Sequence, residues 1–345
     1  MIKVLHVGAK NYPPAHGGTE RVVYNIVNSI ESVDFYLLVE WDQQQTDRIF
    51  LLPKKLNYFS KTQYILRFAK LHGIDIIHFH NEKYIPMAMY LSVVFRKIVL
   101  TVHGVHFRSP KFSLFHRAVF FIVDILGTIL LPRMVYCSEY DQKEFAKYIT
   151  FRKTYFVNNG TNISATQQLK DDIEYKDTYI YLGRITPAKN VLTLIDAAEA
   201  RGIKVHIYGV LDKQCPEYCN QVLNKIQKSK YIEYKGVAPY DQVFEIMKKY
   251  TAFLYITIME GLPLAVLEAA SCGMFLILSN IPQHEFLKLP AVAYVDVQNP
   301  LIPYPEEISS GAANREYVIN NFSNEHMGEE YLKVYESLMK MNNTL

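Results

Sequence analysis

The sequence predicts a two-part α/β protein in which each part is built on its own parallel β-sheet. Its 345 residues suit two domains of ordinary size, and a hydrophobic content of 50% is ample for two cores. Short apolar runs alternate with stretches of helical spacing along the chain, the order that parallel sheets with crossover helices require.

Met1-Ile-Lys-Val-Leu-His-Val7 reads as the end of the chain entering a first strand, Ile2–Gly8, and not as a signal peptide, because no cleavage pattern follows it. A loop with two prolines and Gly17-Gly18 leads to a helix near Thr19–Ile30, and the glycines let backbone approach a ligand closely. Further strands are expected at Phe35–Val39, Ile74–Phe79, Ile98–His103, Arg133–Cys137 and Thr154–Val157. The polar, charge-rich Gln167–Lys176 is expected to link a first domain, 1–165, to a second, 166–322. Strands of the second are expected at Tyr179–Gly183, Lys204–Tyr208, Ile232–Tyr234, Ala252–Ile256, Phe275–Leu278 and Ala293–Val295.

Cys137, Cys215, Cys219 and Cys272 form no framework of secreted type. Cys215-Pro-Glu-Tyr-Cys219 lacks the partner pair of a zinc site, so a helix-borne or surface thiol pair and a reducing, cytoplasmic location are expected. Phe112–Leu131 is apolar and long enough to span a bilayer. His116, Arg117 and Asp124 within it make spanning expensive, which favours a buried or interfacial helix.

Charge is divided unevenly. Residues 1–165 carry 20 Lys/Arg against 12 Asp/Glu, and residues 166–345 carry 17 against 22. The basic half, with Lys54, Lys55, Lys61, Arg67, Arg96, Lys97, Arg108, Lys111 and Arg117 among Phe and Tyr, suggests an anionic lipid surface or an anionic acceptor.

Two elements carry the chemistry. Tyr179-Ile-Tyr-Leu-Gly183 reads as a buried strand, Arg184-Ile-Thr-Pro-Ala-Lys189 as a loop and Asn190 as the cap of a helix with Val191, Leu194, Ile195 and Ala198 on one face. Both cations therefore sit at the carboxyl end of a strand, where open α/β sheets bind ligands. Fixed cations there stabilise a leaving diphosphate, each charge-assisted hydrogen bond contributing roughly 1.5–3 kcal/mol. In Glu260-Gly-Leu-Pro-Leu-Ala-Val-Leu-Glu268, Pro263 suits the first turn of a helix whose free amides attract phosphate. Glu260 at that helix mouth makes sense as an acceptor from neutral hydroxyls, and Glu268, two turns on, as an acceptor from ribose hydroxyls.

Gly183-Arg-Ile-Thr-Pro-Ala-Lys-Asn190 and Glu260-x7-Glu268 resemble the two signatures of the retaining, family 4 glycosyltransferases of GT-B fold. Gly17-Gly18-Thr-Glu20-Arg21, Thr101-Val-His103-Gly104 and Asn159-Gly160-Thr161-Asn162 fall in the family's order, and Phe322–Tyr335 is similar to its closing helix. The resemblance implies two Rossmann-like domains facing across a cleft, with the helix of about 323–345 packed back on the first domain. It further implies donor binding mainly by the second domain and acceptor binding by the first.

By resemblance, Arg184 and Lys189 hold the donor diphosphate together with the amides of Leu264 and Ala265, Glu260 holds the sugar and Glu268 the ribose. Gly17 and Gly18 bring amides to the phosphate, His103 contacts the donor sugar near its anomeric carbon, and Gly236, Val237 and the residues to Tyr240 border the base. His78 and His80 read as structural or acceptor-side. The chain departs from the pattern at Leu262-Pro263, where Phe-Gly is common, at Asn162, where Asp is common, and in Ser279–Glu285, which lacks the usual glycines.

The implied reaction is transfer of a sugar from a nucleotide diphosphate-sugar, commonly a UDP-sugar, to a hydroxyl with retained configuration. The family's front-face mechanism needs no cofactor or metal, and no Asp-x-Asp signature is suitably placed. The acceptor expected from the basic first half is a lipid-linked saccharide of a surface polysaccharide, with the protein cytoplasmic and peripheral to the inner face of the membrane. No nucleic-acid partner is expected. A GT-B isomerase of nucleotide-sugars and a non-enzymatic nucleotide-sugar or glycan binder are the alternatives. A dinucleotide dehydrogenase is poorer, because neither first strand is followed by Gly-x-Gly-x-x-Gly.

Overall fold

A computed structural model describes the chain except for residues 15–16, 42–44, 105–106, 108–112, 150–153, 168–172 and 341–345. The chain divides into two compact units, residues 1–160 with 324–345 and residues 161–323. The division falls at 160/161, five residues before the expected boundary. The polar stretch expected as a linker lies within the second unit, where the Tyr175 amide bonds the Lys249 carbonyl at 2.8 Å. Residues 168–172 of that stretch, and Arg108, Lys111 and Phe112, lie outside the described residues.

The first unit holds seven parallel strands: β1 (Ile2–Val7), β2 (Val33–Val39), β3 (Ile49–Leu51), β4 (Ile76–His80), β5 (Ile98–Val102), β6 (Arg133–Tyr136) and β7 (Tyr155–Phe156). Their order is β3-β2-β1-β4-β5-β6-β7. Strand β3 was not expected, since three residues at the sheet edge are too few to show a period. The helices are α1 (Gly18–Ser29), α2 (Tyr58–Leu71), α3 (Ile85–Ser92), α4 (Leu114–Leu130) and α5 (Glu139–Ala146). Side chains set several starts: Asn57 accepts from the Ser60 amide, Ser113 from His116 and Ser138 from Asp141.

Right-handed crossovers place helices on opposite faces according to the direction in which the chain moves across the sheet. Helices α2, α3 and α4 pack side by side over the face lined by Leu5, Val7, Ile77, Phe79 and Leu100. The expected apolar stretch becomes α4, and no helix among the described residues is long and apolar enough to cross a membrane.

The second unit holds β8 (Thr178–Leu182), β9 (Lys204–Tyr208), β10 (Ile232–Gly236), β11 (Ala252–Tyr255), β12 (Phe275–Ser279) and β13 (Val292–Val295), all parallel, in the order β10-β9-β8-β11-β12-β13. Its helices are α6 (Ile163–Gln167), α7 (Val191–Arg201), α8 (Pro216–Lys228), α9 (Val243–Met247), α10 (Leu264–Ser271), α11 (Pro282–Glu285) and α12 (Ala312–Asn321). Strands β8, β11 and β12 are buried along their whole length, which is why they read as continuous apolar runs. The chain then returns to the first unit as α13 (Asn324–Met339), which packs on α1. Both sheets are Rossmann-like, with a reversal of strand order at β1/β4 and at β8/β11.

Candidate active site

The second-unit site forms where β8 and β11 end beside one another. Past β8, Gly183 runs close to the end of β9, where a Cβ on Gly209 would lie 1.9 Å from the Gly183 carbonyl oxygen. Only glycine permits that approach, and it fixes the start of the Arg184–Lys189 segment. The thiol of Cys219 donates to the Ile185 carbonyl at 3.4 Å, so the Cys215/Cys219 pair secures this loop from α8. Pro187–Lys189 forms one 3-10 turn, and Asn190 enters α7 with a left-handed backbone, φ 52°. Asn190 caps by position only, because its side chain donates to the Val297 carbonyl and accepts from the Thr193 hydroxyl.

That turn delivers Lys189 to Glu260. The ammonium donates to Glu260 Oε1 and, at 2.6 Å, to the Tyr255 hydroxyl, and it lies 5.1 Å from the centre of the Tyr255 ring. Both partners of the ion pair are largely shielded, with side-chain exposures of 15% and 10%. An ammonium has three N–H groups, so two fixed partners leave one to direct at a ligand. Burial, and next the charge of Glu260, push the Tyr255 phenol well above its ordinary range, so it remains a neutral donor. Arg184 behaves differently. Its side chain is half exposed and meets Asp212 at 3.6 Å, a surface contact of little energetic weight that leaves the guanidinium able to swing to a phosphate.

Helix α10 begins at Leu264, with Pro263 extended at its N-cap and not, as expected, inside the first turn. The amides of Val266 and Leu267 both donate to the Pro263 carbonyl, so those of Leu264 and Ala265 precede the first intrahelical bond. Glu268 lies buried on the same helix. Gly236 ends β10 with φ +79°, and Val237 follows it half exposed.

His284 on α11 was missed by sequence reasoning. Its Nδ1 lies 2.9 Å from the Ser279 carbonyl, which fixes that nitrogen as donor and makes Nε2 an acceptor. Nε2 is buried with no hydrogen-bond partner among the described residues. Burial pushes the ring's pKa down to about 4, against a smaller opposing pull from Glu260. The available signal was a histidine a few residues past an apolar strand, in the loop already marked as lacking glycines.

The first-unit site is built from neutral rings. His6 and His78 face one another in the β1/β4 register, and His80 follows on the same face of β4. His78 bonds Tyr335 and Thr101, each at 2.8 Å. His6 Nδ1 meets His80 Nε2 at 2.7 Å, and His80 Nδ1 meets His103 Nε2 at 3.2 Å. Burial lowers His6 to about 3 and holds His78 and His80 well below the ordinary histidine range. The three buried rings are close enough to suggest metal ligation. Hydrogen bonds nevertheless engage both nitrogens of His78 and of His80, giving a chain of rings that ends at half-buried His103.

Gly17 precedes α1 with φ +105°, and a Cβ there would lie 2.2 Å from Glu20 Oε2. Gly18 opens the helix, and Glu20 Oε1 accepts from the Lys10 amide at 3.3 Å. The sequence candidates thus gather into two sets: Arg184, Lys189, Glu260, Leu264, Ala265, Glu268, Gly236 and Val237 in the second unit, and Gly17, Gly18 and His103 in the first.

Two Rossmann-like parallel-sheet units, the second with cations and acids at its strand ends, define the GT-B glycosyltransferase class. Residues 16–165 match the family described as Glycosyltransferase Family 4, and residues 166–285 match Glycosyl transferases group 1. The chain belongs to glycosyltransferase family 4. It is 23% identical over 305 residues to the GDP-mannose:cellobiosyl-diphosphopolyprenol alpha-mannosyltransferase of Xanthomonas oryzae, covering 81% of this chain and 79% of that one. It is 25% identical to the UDP-Gal:alpha-D-GlcNAc-diphosphoundecaprenol alpha-1,3-galactosyltransferase of Escherichia coli, covering 81% and 80%. Among solved structures, sucrose-phosphate synthase from Thermosynechococcus elongatus superposes with a TM-score of 0.79 at 16% identity, covering 99% of this chain and 100% of that one. Anabaena HepE in complex with UDP and glucose superposes at 0.78 and 15% identity, covering 98% and 100%.

Proposed function

We propose that the protein is a retaining hexosyltransferase that moves a sugar from a UDP-sugar to a hydroxyl of a lipid-linked saccharide in surface polysaccharide synthesis. The observation that carries the reading is Lys189 held at once by Glu260 and Tyr255 at the carboxyl ends of β8 and β11. A cation fixed beside an acid suits a diphosphate whose charge grows as the glycosidic bond breaks, with the acid left to accept from sugar hydroxyls. Arg184 and the amides of Leu264 and Ala265 complete the diphosphate cradle. Glu268 takes the ribose, Gly236 and Val237 border the base, and Gly17, Gly18 and His103 are the first unit's own candidates for ligand contact.

Two relatives named for diphosphopolyprenol or diphosphoundecaprenol acceptors support the lipid-linked acceptor. The E. coli relative is named for UDP-Gal and HepE was solved with UDP, which supports uridine. The Xanthomonas relative is named for GDP-mannose, so guanosine donors belong in the test. The acceptor hydroxyl attacks on the face that the diphosphate leaves, and the departing phosphate takes its proton, so the enzyme supplies position and electrostatics. No metal takes part, and the protein works at the cytoplasmic face of the membrane.

The deciding experiment incubates labelled UDP- and GDP-sugars with lipid-linked saccharides and resolves the products with and without EDTA. Transfer with an unchanged anomeric configuration, undiminished by EDTA, is expected. An isomerised donor would identify an isomerase, and an unchanged donor that still raises the melting temperature would identify a binder.

A further inference from the structure

Helix α4 carries apolar side chains on two sides: Phe120, Phe121, Val123 and Ile125 pack on the core, and a second stripe faces outward. Its buried residues are Asp124, Gly127 and Thr128. Phe115, Val119, Ile122, Leu126 and Leu130, spaced by three and four residues, form one exposed stripe along its outer side. Phe115 is 75% exposed and Ile122 56%. A surface helix of a soluble domain carries polar and charged residues on that outer side. The inward polar groups are accommodated: Gly127 lets α4 approach Ile85 of α3, Thr128 donates to the Asp124 carbonyl at 2.9 Å, and burial raises the Asp124 carboxyl to about 7. The helix is therefore anchored by Phe120, Phe121, Val123 and Ile125 together with its small and polar buried residues, and its second apolar stripe is left facing outward.

The surrounding layer matches that stripe. Tyr58 and Phe59 on α2, Tyr90 on α3 and Val93 and Val94 just beyond it are also exposed. Residues 52–131 hold eleven Lys/Arg and three Asp/Glu, which is the whole positive excess of the first half of the chain. None of those three acids is exposed: Glu82 and Asp124 are buried, and half-buried Asp75 accepts from the Lys3 amide. An outward apolar stripe in a segment whose exposed charges are Lys54, Lys55, Arg67, Lys70, Lys83 and Arg96, with exposed tyrosines and no exposed carboxylate, has the chemistry of a helix lying in the headgroup region of an anionic bilayer. A second copy of the chain would bring the same cations against one another, so charge selects the lipid.

We propose that the α2–α3–α4 face is the membrane-docking surface and that α4, about 25 Å long, lies in the plane of the bilayer with Phe115, Val119, Ile122, Leu126 and Leu130 among the acyl chains. This rests on the lipid-linked acceptor of the proposed function only for its purpose. The docking itself is read from side chains that take no part in donor binding.

Full-length protein is floated with vesicles of mixed phosphatidylcholine and phosphatidylglycerol, and with phosphatidylcholine alone, at low and high salt. Binding to the anionic vesicles is expected, reduced but not abolished by salt, because apolar insertion persists when charge is screened. Ile122→Asp with Leu126→Asp is expected to lower partitioning at least about tenfold at both salt concentrations. Arg67→Glu with Arg96→Glu is expected to lower it only at low salt. UDP and GDP thermal shifts measured on the same variants should be unchanged, so failed docking and failed nucleotide binding are read separately. In a Trp41→Phe background, Ile122→Trp fluorescence should shift to the blue when anionic vesicles are added. Equal flotation of the wild type and the α4 variant would overturn the proposal. So would a wild-type dimer that Ile122→Asp dissociates, because the stripe would then be an interface between copies.

Discussion

The two strand-end clusters occupy the same topological place and handle charge in opposite ways. In the second unit, Lys189 and Glu260 form a shielded ion pair and Arg184 stands at the surface beside Asp212. In the first, His6, His78 and His80 are buried as neutral rings, and Glu82 and Asp124 are buried with raised carboxyl pKa values. A diphosphate needs fixed positive charge, which a protein can keep only where each ion has a partner. A neutral sugar needs oriented donors and acceptors, which uncharged rings supply without attracting counter-ions. Under the proposed function, phosphate chemistry falls to the second unit and hydroxyl chemistry to the end of the histidine chain.

The largest test breaks the charged cluster. Lys189→Ala or Glu260→Ala is expected to lower kcat by about 10²–10³-fold, the scale seen when a transition-state stabilising group is lost. The double variant should be little worse than either single one, since each partner positions the other. Steady-state rates at saturating donor decide this, and fully additive losses would show that the pair does not act as a unit.

The next test addresses the neutral burial of the first unit. Asp124 has a folded pKa of about 7 against an ordinary 3.8, so its contribution to stability is fully present below 3.8 and is lost as pH rises through 7. Asp124→Asn abolishes that loss and should gain on the wild type by about 3–4 kcal/mol between pH 4 and pH 8. Burial, and next the charge of Asp124, shift Glu82 in the same direction, so Asp124→Asn also relieves part of the Glu82 penalty and adds to the gain. The three histidines run the other way. Their rings stay neutral when folded, so their contribution is present above 6.5 and falls as the unfolded rings take up protons below it. Urea titrations of both proteins across that range measure the difference, and parallel curves would show that Asp124 is ionised in its buried site.

The ordered elements were legible because buried parallel strands are continuous apolar runs: Lys204–Tyr208 was bounded correctly, and most other strands moved by one or two residues. The positions of Arg184, Lys189 and Glu260 could be read because a strand-loop-helix pattern fixes where a strand end points. Their pairing could not, since sequence separation carries no distance between Lys189 and Glu260, 71 residues apart. Two periodicities were also left unread. His78 and His80 share a face of β4 through the period of two, and Phe115 to Leu130 share a face of α4 through the helical period. Apolar content alone did not reveal that the second face points outward.

Smaller effects sharpen the second-unit cluster. His284→Asn keeps a donor for the Ser279 carbonyl and removes the buried Nε2 acceptor, so kcat/KM should fall about tenfold, the scale of one lost hydrogen bond, with the melting temperature nearly unchanged. An equal loss of stability and activity would make His284 a packing residue. The smallest effect is expected at Glu268, which lies buried on α10 behind the helix mouth. Glu268→Gln retains an acceptor oxygen and the side-chain volume while removing the charge. A ribose hydroxyl bonded to a carboxylate gains more than one bonded to an amide, so nucleotide affinity should weaken by about three- to tenfold. kcat should be unchanged, because the proposed ribose contact would be equal in ground and transition states. Calorimetric titration with UDP alongside kcat at saturating donor separates the two, and a fall in kcat without a change in affinity would move Glu268 from the nucleotide to the reacting sugar.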